Sequence, residues 1–461
     1  MSGSVKSEPV AAIATDLAAI AGDANVLADA PRLEAFAVDG IVPASVVSPG
    51  SAEEVAAILR LANERRWMVA PAGGFTQQSV GATPERVDVV LRTDRLAKVI
   101  HYDPADLTLG VGAGMTLAEL DALLAARGQM LPIDPAQPHR ATVGGVLATG
   151  TSGPLRHGYG SVRDYCIGIQ FVTGDGLVAK GGGRVVKNVA GYDLMKLMIA
   201  SHGTLGVIVS ANFKVVPRPR QTRTFAAEFP SIADALRFRD FVLRSPLTPM
   251  CLELLSPLAH EFLGDPIQPR HPEDHHTEAA PAPHQHWTVL LRAAGSDAVL
   301  ARYRRELGSA VTREVEGSEE ALLWQRVCDF AVLVIERHHN AMIVNIGGAI
   351  QDVEPSFAAF ERAALDDSFL PAIVGRCGVG ALVAAFVPLA VDPPSAVKYA
   401  AAMSSLRGGL PHGVSAIVQR CPLEAKRHFD VWGGDAVIGA MHRVRSAMDP
   451  RGVLNEGRFV V

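Results

Sequence analysis

The sequence has few cysteines, and none of them are spaced to hold a metal. Its 461 residues include five cysteines, at Cys166, Cys251, Cys328, Cys377 and Cys421. No Cys-x-x-Cys pair occurs, so the usual ligand pattern of a zinc knuckle or an iron–sulfur cluster is missing. An odd number of scattered cysteines favours free thiols in a reducing compartment over a disulfide framework.

Long apolar runs and an excess of charge of one sign are also missing. No uninterrupted apolar stretch reaches the ~20 residues of a membrane-spanning helix. Residues 1–22 carry Glu8 and Asp16 and lack the basic start of a secretory signal. The 43 Lys and Arg nearly balance 48 Asp and Glu, so no polybasic surface for nucleic acid is expected. We therefore expect a cytoplasmic protein with no nucleic-acid partner and no transmembrane segment.

Apolar residues and glycine are abundant. The hydrophobic fraction is 48%, with 43 Gly and 30 Pro, which is typical of a folded enzyme and excludes a chain disordered throughout. At ~150 residues per domain, the length predicts two to three domains.

Changes in composition divide the chain into four parts. They are a helical extension at 1–37, a glycine-rich domain at 38–220, a domain of alternating helices and strands at 221–420, and a C-terminal segment at 421–461. Residues 265–286 are crowded with Pro and His and lack apolar periodicity, which predicts an exposed, mobile insertion. The fold class expected from this order is α+β.

Local signals place several elements in the first half of the chain. Ser51-Ala-Glu-Glu54 and Thr116-Leu-Ala-Glu119 are capping boxes, which predict helix starts. The Ala-rich run 10–33 predicts a helix. Residues 68–70 predict a short strand, and 71–76 predict the loop that follows it.

Three glycine-bearing loops predict a ligand that contains phosphate. They are 71–76, Thr142-Val-Gly-Gly145 and Ala148-Thr-Gly-Thr-Ser-Gly153. Glycine lets the backbone approach a ligand closely, and successive N–H groups in such loops hold phosphate oxygens. One such loop is more often a tight turn, but three in one domain favour a dinucleotide.

Motifs that follow these loops resemble a known family. Gly181-Gly-Gly-Arg-Val-Val-Lys-Asn-Val-Ala-Gly-Tyr-Asp193 and Ser201-His-Gly-Thr-Leu-Gly-Val-Ile208, together with the loops, are similar to the FAD-binding domain of the vanillyl-alcohol oxidase and cresol methylhydroxylase superfamily. The resemblance covers about residues 38–220. It implies a two-part FAD-binding domain followed by an α+β substrate domain, or cap.

The resemblance also implies which residues bind FAD. Residues 72–76 would hold the pyrophosphate, and 206–208 would meet the adenine end. The full expected set is Ala72, Gly73, Gly74, Phe75, Thr76, Pro135, Thr142, Gly144, Gly145, Gly150, Ser152, Gly153, Gly158, Asn188, Tyr192, Gly206, Val207, Ile208 and Asn455. Packing beneath the loop is an equal alternative for Tyr192.

The same resemblance predicts how the flavin is attached. Some members of the superfamily bind FAD covalently through a histidine in the first loop. That loop here carries Phe75 and neither His nor Cys, so we expect non-covalent FAD. His157 and His202 lie in other motifs and are expected to be structural.

Motifs near the C-terminus narrow the resemblance. Cys421-Pro422, Asp430-Val-Trp-Gly433 and residues 449–459 are similar to the E subunits of bacterial glycolate oxidases, with Glu456 where that family has proline. This implies that the tail returns to the FAD domain. It also implies a small 2-hydroxy acid as substrate, and a second flavoprotein subunit and an iron–sulfur subunit as partners. Those partners would place the chain peripherally at the inner membrane.

The catalytic residues are the weakest part of this interpretation. Catalytic relatives carry a His-x-Gly-x-Gly-x-x-His run, whereas this chain has Arg376 and Cys377 beside Gly378-Val-Gly380. His338 and His339, if adjacent on a strand, would point to opposite faces, so we expect no metal site. Arg326 is the candidate for binding a substrate carboxylate, and a structural role fits it at least as well.

Three functions remain open at this point. The chain could be the FAD-binding subunit of a glycolate oxidase-like complex, or a self-sufficient FAD-dependent 2-hydroxyacid dehydrogenase. It could also be a structural or electron-relay subunit with an inactive substrate pocket. The missing histidine run favours the third over the second.

Overall fold

A computed structural model gives the fold of residues 10–184, 193–264, 285–366, 369–390, 394–434 and 438–459. The expected insertion at 265–286 lies outside these ranges except for its last two residues. Asn188 and Tyr192 also lie outside them.

The N-terminal part of the FAD domain is a small, mostly parallel sheet. Its helices are α1 (Val10–Ala21), α2 (Ala30–Leu33) and α3 (Ala52–Arg65), and its strands are β1 (Val26–Leu27), β2 (Ser45–Val47), β3 (Val69–Ala72) and β4 (Val89–Arg92). The strand order is β1-β2-β4-β3. β4 pairs in parallel with both β2 and β3, and β1 runs antiparallel to β2.

The expected helix over 10–33 is wrong in its second half. α1 ends at Ala21, where Gly22 takes a φ of 85°. Val26 and Leu27 then pair with β2 as a strand. The Ala-rich pattern continues past Gly22, but the positive φ of Gly22 turns the chain away from the axis of α1.

The second part of the FAD domain is an antiparallel sheet in the order β5-β6-β10-β8-β9. The strands of this part are β5 (Val99–Asp103), β6 (Thr108–Gly112), β7 (Gln129–Met130), β8 (Cys166–Val172), β9 (Val178–Gly182), β10 (Val207–Lys214) and β11 (Val216–Pro217). Its helices are α4 (Leu117–Ala125), α5 (Val143–Thr149), α6 (Arg156–Tyr159), α7 (Val162–Tyr165) and α8 (Leu194–Met198).

The predicted caps start their helices as expected. The Thr116 hydroxyl accepts a hydrogen bond from the Glu119 N–H at 3.2 Å, and the Glu119 carboxylate accepts one from the Thr116 N–H at 2.9 Å. Ser51 caps α3 with its hydroxyl 3.2 Å from the Glu54 N–H. The Glu54 carboxylate accepts from the Gly50 N–H at 2.8 Å instead of the Ser51 N–H, so this predicted capping box forms only in part. These side chains satisfy N–H groups that the first turn of a helix leaves free.

The cap is an eight-stranded antiparallel sheet covered on both faces by helices. Its strands are β12 (Thr222–Phe229), β13 (Cys251–Leu255), β14 (Trp287–Ala294), β15 (Arg313–Val315), β16 (Met342–Gly347), β17 (Phe369–Arg376), β18 (Ala381–Pro388) and β19 (Ser415–Arg420). The helices of the cap and tail are α9 (Ile232–Arg244), α10 (Pro257–Leu263), α11 (Asp297–Leu307), α12 (Gly317–Cys328), α13 (Phe330–Arg337), α14 (Val353–Asp366), α15 (Ala396–Gly409), α16 (Leu423–Lys426) and α17 (Ile438–Met448). The strand order is β15-β12-β14-β13-β17-β18-β16-β19.

Successive side chains along these strands point to opposite faces of the sheet, so each face has its own hydrophobic core. Leu252 and Leu254 of β13 join the core under α9, α14 and α15, whereas Cys251 and Leu255 join the core under α10, α12 and α13. The second core also meets the FAD domain, because Met130 belongs to it. The α+β class predicted from the sequence is therefore confirmed.

The C-terminal segment returns to the FAD domain, as the sequence predicts. Leu454 forms a parallel bridge with Val69 of β3, and both Val453 and Leu454 are buried. Asp449 fixes this return, since its carboxylate accepts hydrogen bonds from the N–H groups of Val453 and Leu454 at 3.0 and 2.8 Å.

His338 and His339 do not lie on a strand, contrary to the sequence-based expectation. Both follow the end of α13 and precede β16. The His338 ring packs edge-on against Phe262 with centroids 5.6 Å apart.

Candidate functional site

A cleft of about 810 Å³ opens where β3 ends, between the two parts of the FAD domain. Twelve of the expected cofactor-binding residues line it: Ala72, Gly73, Gly74, Phe75, Thr76, Thr142, Gly144, Gly145, Gly206, Val207, Ile208 and Asn455. We call this space the cofactor cleft.

Glycine is required where the walls of the cofactor cleft meet. A Cβ on Gly74 would lie 1.7 Å from the Arg140 carbonyl oxygen, and one on Gly73 would lie 2.0 Å from Thr142 Oγ1. Thr142 itself caps α5, with its hydroxyl 3.2 Å from the Gly145 N–H. The first loop therefore packs directly on the second, and no larger residue fits.

The first loop offers free hydrogen-bond donors. Within the described ranges, the backbone N–H groups of Gly74, Phe75 and Thr76 donate no hydrogen bond. These three residues are partly exposed, and three successive N–H groups without a protein partner suit the oxygens of a diphosphate. The loop thus fits the cofactor that the sequence predicts.

Strained backbone concentrates around the same space. Phe75, Gln137, His202 and Asn455 have φ between 45° and 59°, and each of them lines the cofactor cleft or the cavity beside it. Non-glycine residues rarely adopt such angles, and functional sites are where they collect. Asn455 is held in place because its amide donates to the His202 carbonyl oxygen at 2.8 Å.

A second space, the cap cavity, continues from the cofactor cleft into the domain junction. It has a volume of about 1580 Å³, and Thr76, Val80, Thr149 and His202 line both spaces. Unlike the cofactor cleft, it is lined by several charged side chains. These are Asp134, Arg156, Arg376 and Arg420.

Arg376 is the half-buried arginine of this group, whereas Arg156 and Arg420 are exposed. It ends β17, its Nε is buried, and it forms no ion pair within the described part of the chain. Asn345 of β16 also lines the cavity, with a buried Oδ1 that has no partner among the described residues. A guanidinium fork is suited to a carboxylate, and an amide on the wall of the same cavity can add a hydrogen bond.

Two buried carboxyl groups lie near Arg376. Burial raises the pKa of Asp134 to about 7, although Arg376 and Arg292 oppose this change. Burial also raises the pKa of Glu253 on β13 to about 8, with Arg376 opposing. Both Glu253 oxygens lack a hydrogen-bond partner among the described residues, so this group is neutral at pH 7.

His202 lies where the two spaces meet. Its ring packs against Trp432 with centroids 4.9 Å apart and against Phe459 at 5.2 Å. Burial and the charge of Arg458 lower the pKa of His202 to about 4, so the ring is neutral at physiological pH. His157 is partly buried, and this burial lowers its pKa as well.

The remaining predicted site residues lie elsewhere. Gly150 and Ser152 line the cap cavity, and Pro135 lines a third cavity behind Asp134. Gly153 packs on Asp134, where a Cβ would lie 2.0 Å from the Asp134 carbonyl oxygen. Gly158 packs on Met250, with a Cβ position 3.0 Å from its Cα. Asn188 and Tyr192 are outside the described residues.

The structure does not bring Arg326 to either space. Its Nε donates to the Leu263 carbonyl oxygen at the end of α10, and it borders neither the cofactor cleft nor the cap cavity. Arg326 sits on the face of α12 that meets α10, while Val327 and Cys328 face the cap cavity. The helical rotation between neighbouring residues turns it away.

The sequence interpretation does not identify as ligand contacts several residues that line the two spaces, among them Arg376, Asn345, His202, Trp432 and Arg458. The sequence marks Arg376 only as the residue that stands where catalytic relatives have a histidine, and that position is itself a usable signal. Within the ranges that the structure describes, no three His, Cys, Asp or Glu side chains gather as metal ligands would. No helix in those ranges is both long and apolar enough to cross a bilayer.

Comparisons with known proteins agree with this geometry. Residues 43–182 match the FAD binding domain family. The chain is 37% identical to a D-lactate dehydrogenase of Archaeoglobus fulgidus over 217 residues, which cover 47% of this chain and 48% of that protein. It is 43% identical to the glycolate oxidase subunit GlcE of Escherichia coli over 141 residues, which cover 30% of this chain and 39% of that protein.

The whole fold has a close structural counterpart. The crystal structure of p-cresol methylhydroxylase with substrate bound superposes with a TM-score of 0.72 at 17% identity, covering 99% of this chain and 97% of that one. The chain therefore contains an FAD-binding domain and has the fold of that flavoprotein. The matched region spans less than half the length of the two curated relatives.

Proposed function

We propose that the chain is the FAD-binding subunit of a glycolate oxidase-like complex that oxidises a small 2-hydroxy acid to the 2-oxo acid. The single observation that carries this proposal is Arg376, an unpaired arginine in the cavity that continues from the cofactor cleft. The names of the relatives, a D-lactate dehydrogenase and a glycolate oxidase subunit, support a 2-hydroxy acid as substrate.

In this proposal the two spaces have separate tasks. The free N–H groups of Gly74, Phe75 and Thr76 hold the FAD diphosphate, and residues 142–145 form the opposite wall. Bound FAD supplies the acceptor for the hydride that leaves the substrate Cα. Arg376 and Asn345 bind and orient the substrate carboxylate, which fixes the Cα relative to the cofactor cleft.

Among the residues that the structure describes, no positioned proton acceptor lies in the cap cavity to complete a self-sufficient site. Asp134 Oδ1 is buried and packs against Gly153, since a Cβ built on Gly153 would lie 2.3 Å from this oxygen. His202 is a weak base, because burial and Arg458 lower its pKa to about 4. Since losing a general base typically removes ~10²–10⁴-fold of rate, we expect the lone chain to turn over slowly. This observation also favours a second candidate, an electron-relay subunit with an inactive pocket.

Electrons would then leave through partners. The chain has no Cys-x-x-Cys motif for a cluster of its own. The partners proposed are a second flavoprotein subunit and an iron–sulfur subunit, through which the chain would be cytoplasmic and peripheral to the inner membrane.

FAD is proposed to be bound without a covalent bond. Phe75 stands in the loop where some relatives of the superfamily have a histidine. Acid precipitation of the holo-chain should release all yellow colour to the supernatant. Colour that stays in the pellet would contradict this, and His202 would then be the residue to examine, because it lines the cofactor cleft.

Anaerobic reduction of the flavin tests the function. Glycolate or D-lactate should bleach the purified holo-chain very slowly, and addition of the flavoprotein and iron–sulfur partners should restore rapid dye reduction. Robust oxidation by the single chain would identify a self-sufficient dehydrogenase. If no oxidation occurs even with both partners, the proposal is overturned, and the electron-relay subunit with an inactive pocket is the candidate that remains.

A further inference from the structure

Three buried charges join distant parts of the chain beside the cofactor cleft. Asp39 Oδ2 accepts a hydrogen bond from Lys426 Nζ at 2.5 Å and another from the Arg458 guanidinium. The three side chains are 4%, 2% and 5% exposed, respectively. We call Asp39, Lys426 and Arg458 the tail triad.

The tail triad carries more positive than negative charge. Its single carboxylate faces two cations, and neither cation pairs with another carboxylate in the described ranges. The other acceptors are neutral carbonyl oxygens, of Ser79 for Lys426 and of Val80 for Arg458, at 2.7 and 2.6 Å. A buried charge without a counter-charge is costly, and burial accordingly lowers the pKa of both Lys426 and Arg458.

Arg458 brings this excess charge to the cofactor cleft. Of the described side chains that line the cleft, Arg458 is the one that carries a charge at pH 7, because the pKa of His202 is about 4. The diphosphate of FAD is doubly anionic. The other described residues that line the cleft contribute backbone and neutral side chains. The charge of Arg458 is opposite in sign to that of the diphosphate.

Arg458 also holds the loop that forms one wall of the cleft. Its guanidinium donates to the carbonyl oxygens of Gln78, Val80 and Ala82. Its own carbonyl oxygen accepts from the Ala82 N–H and from Trp432 Nε1, both at 3.0 Å. Arg458 is therefore a positioning residue as well as a charge, and a test has to separate the two effects.

We propose that the tail triad is the counter-charge site of the FAD diphosphate, so that the cofactor balances the buried positive charge and closes the C-terminal tail onto the FAD domain. Because it concerns cofactor retention alone, this inference stands whether or not the chain oxidises hydroxy acids.

Lys426 gives the sharpest test, because it contributes charge without lining the cleft. Lys426→Met leaves a neutral Asp39–Arg458 pair. The rate of FAD loss from the diluted holo-chain, followed by the rise of FAD fluorescence, should increase about 10-fold and become less salt-dependent. A rate within twofold of the wild type would overturn the proposal.

Asp39→Asn tests the sign of the effect. It breaks the triad but raises the local charge from one excess positive charge to two. If charge governs retention, FAD should leave no faster than from the wild type, even though the protein unfolds at a lower temperature. Faster loss of FAD would mean that the triad acts only by holding segments together, which would overturn the proposal.

Two tail variants complete the design. Arg458→Lys keeps the charge and loses the forked contacts to the loop, so it should lose FAD more slowly than Arg458→Met. Arg451→Met is the matched control, since Arg451 is an exposed tail arginine that donates to the Asn63 carbonyl oxygen at 2.8 Å, away from the cleft. Its rate of FAD loss should equal that of the wild type.

Discussion

The cofactor cleft and the cap cavity adjoin each other but are built in different ways. In the cofactor cleft the walls are backbone and small side chains, and glycines such as Gly73 and Gly74 let two loops touch. In the cap cavity the walls carry Asp134, Arg376 and other charged side chains contributed by separate strands and helices. One space is specified by short, contiguous motifs and the other by the meeting of two domains.

This difference predicts how each space responds to substitution. A backbone-built cleft should be destroyed by a single added side chain, because its walls are already in contact. A cavity lined by charged side chains should tolerate shape changes and lose specific interactions one at a time. The four predictions that follow test this contrast, beginning with the largest expected effect.

Gly74→Asp should abolish FAD retention. A Cβ at this position would lie 1.7 Å from the Arg140 carbonyl oxygen, and the new carboxylate would repel the diphosphate. The measurement is the ratio of flavin to protein absorbance after purification, which we expect to fall at least ~100-fold. Gly408→Asp is the matched control, because Gly408 is exposed on α15 of the cap and no described atom lies within 4 Å of its Cβ position. A folded Gly74→Asp variant with a full complement of FAD would refute the loop assignment.

The same contrast explains which parts could be predicted from the sequence. The residues of the cofactor cleft lie in a few short segments whose glycines are visible in the sequence, and twelve of the nineteen proposed FAD contacts line the cleft. Arg376 could not be placed in this way, because its position beside Asp134 depends on how β17 of the cap meets the FAD domain. Arg326 is predicted because it lies roughly where relatives place an arginine that binds the substrate carboxylate, and a position along the chain says nothing about the helix face that meets the cavity.

The ion pairs of the tail triad could not be predicted from the sequence either, because they join distant parts of the chain. The first and last members, Asp39 and Arg458, are 419 residues apart in the sequence, and no local pattern connects Asp39, Lys426 and Arg458. The α+β class and the capped helices were predictable, because they depend on periodicity and on residues three positions apart. The end of α1 was not, since an Ala-rich pattern continues on both sides of Gly22.

Arg376→Met should weaken the binding of a small carboxylate about 100-fold without loss of FAD. The reason is that the carboxylate would lose its charged partner in a buried cavity. Binding of unreactive oxalate, followed through the flavin absorption spectrum, measures this without requiring turnover. Arg326→Met serves as the comparison, and we expect unchanged oxalate affinity with some loss of stability from its contact with Leu263. The reverse result would restore Arg326 as the carboxylate-binding residue.

Glu253→Gln should change how stability depends on pH. Burial raises the pKa of Glu253 to about 8 in the folded protein, against 4.5 for the ordinary group. The folded state therefore keeps a proton that the unfolded state releases, and the wild type loses stability as pH rises from about 4.5 to about 8. The glutamine variant lacks this loss, so its stability relative to the wild type should rise by at most about 1.4 kcal/mol per pH unit.

Thermal unfolding of the two holo-proteins between pH 5 and pH 9 measures this difference. It should grow with pH through the window and then level off. A variant that becomes relatively less stable as pH rises would show that Glu253 is ionised and paired with Arg376, and would change the expected charge of the cap cavity.

Shortening the segment 265–286 to a brief Gly/Ser linker should have the smallest effect. Its sequence is rich in Pro and His and has no apolar periodicity, and the free energy of closing a loop changes little with its length. Its flanking elements, α10 and β14, belong to the cap, and neither contributes a residue to the cofactor cleft. The shortened holo-chain should keep its FAD content and unfold within a few degrees of the full chain. Loss of FAD on shortening would mean that the cofactor cleft depends on cap residues far from its walls, and the contrast between the two spaces would fail.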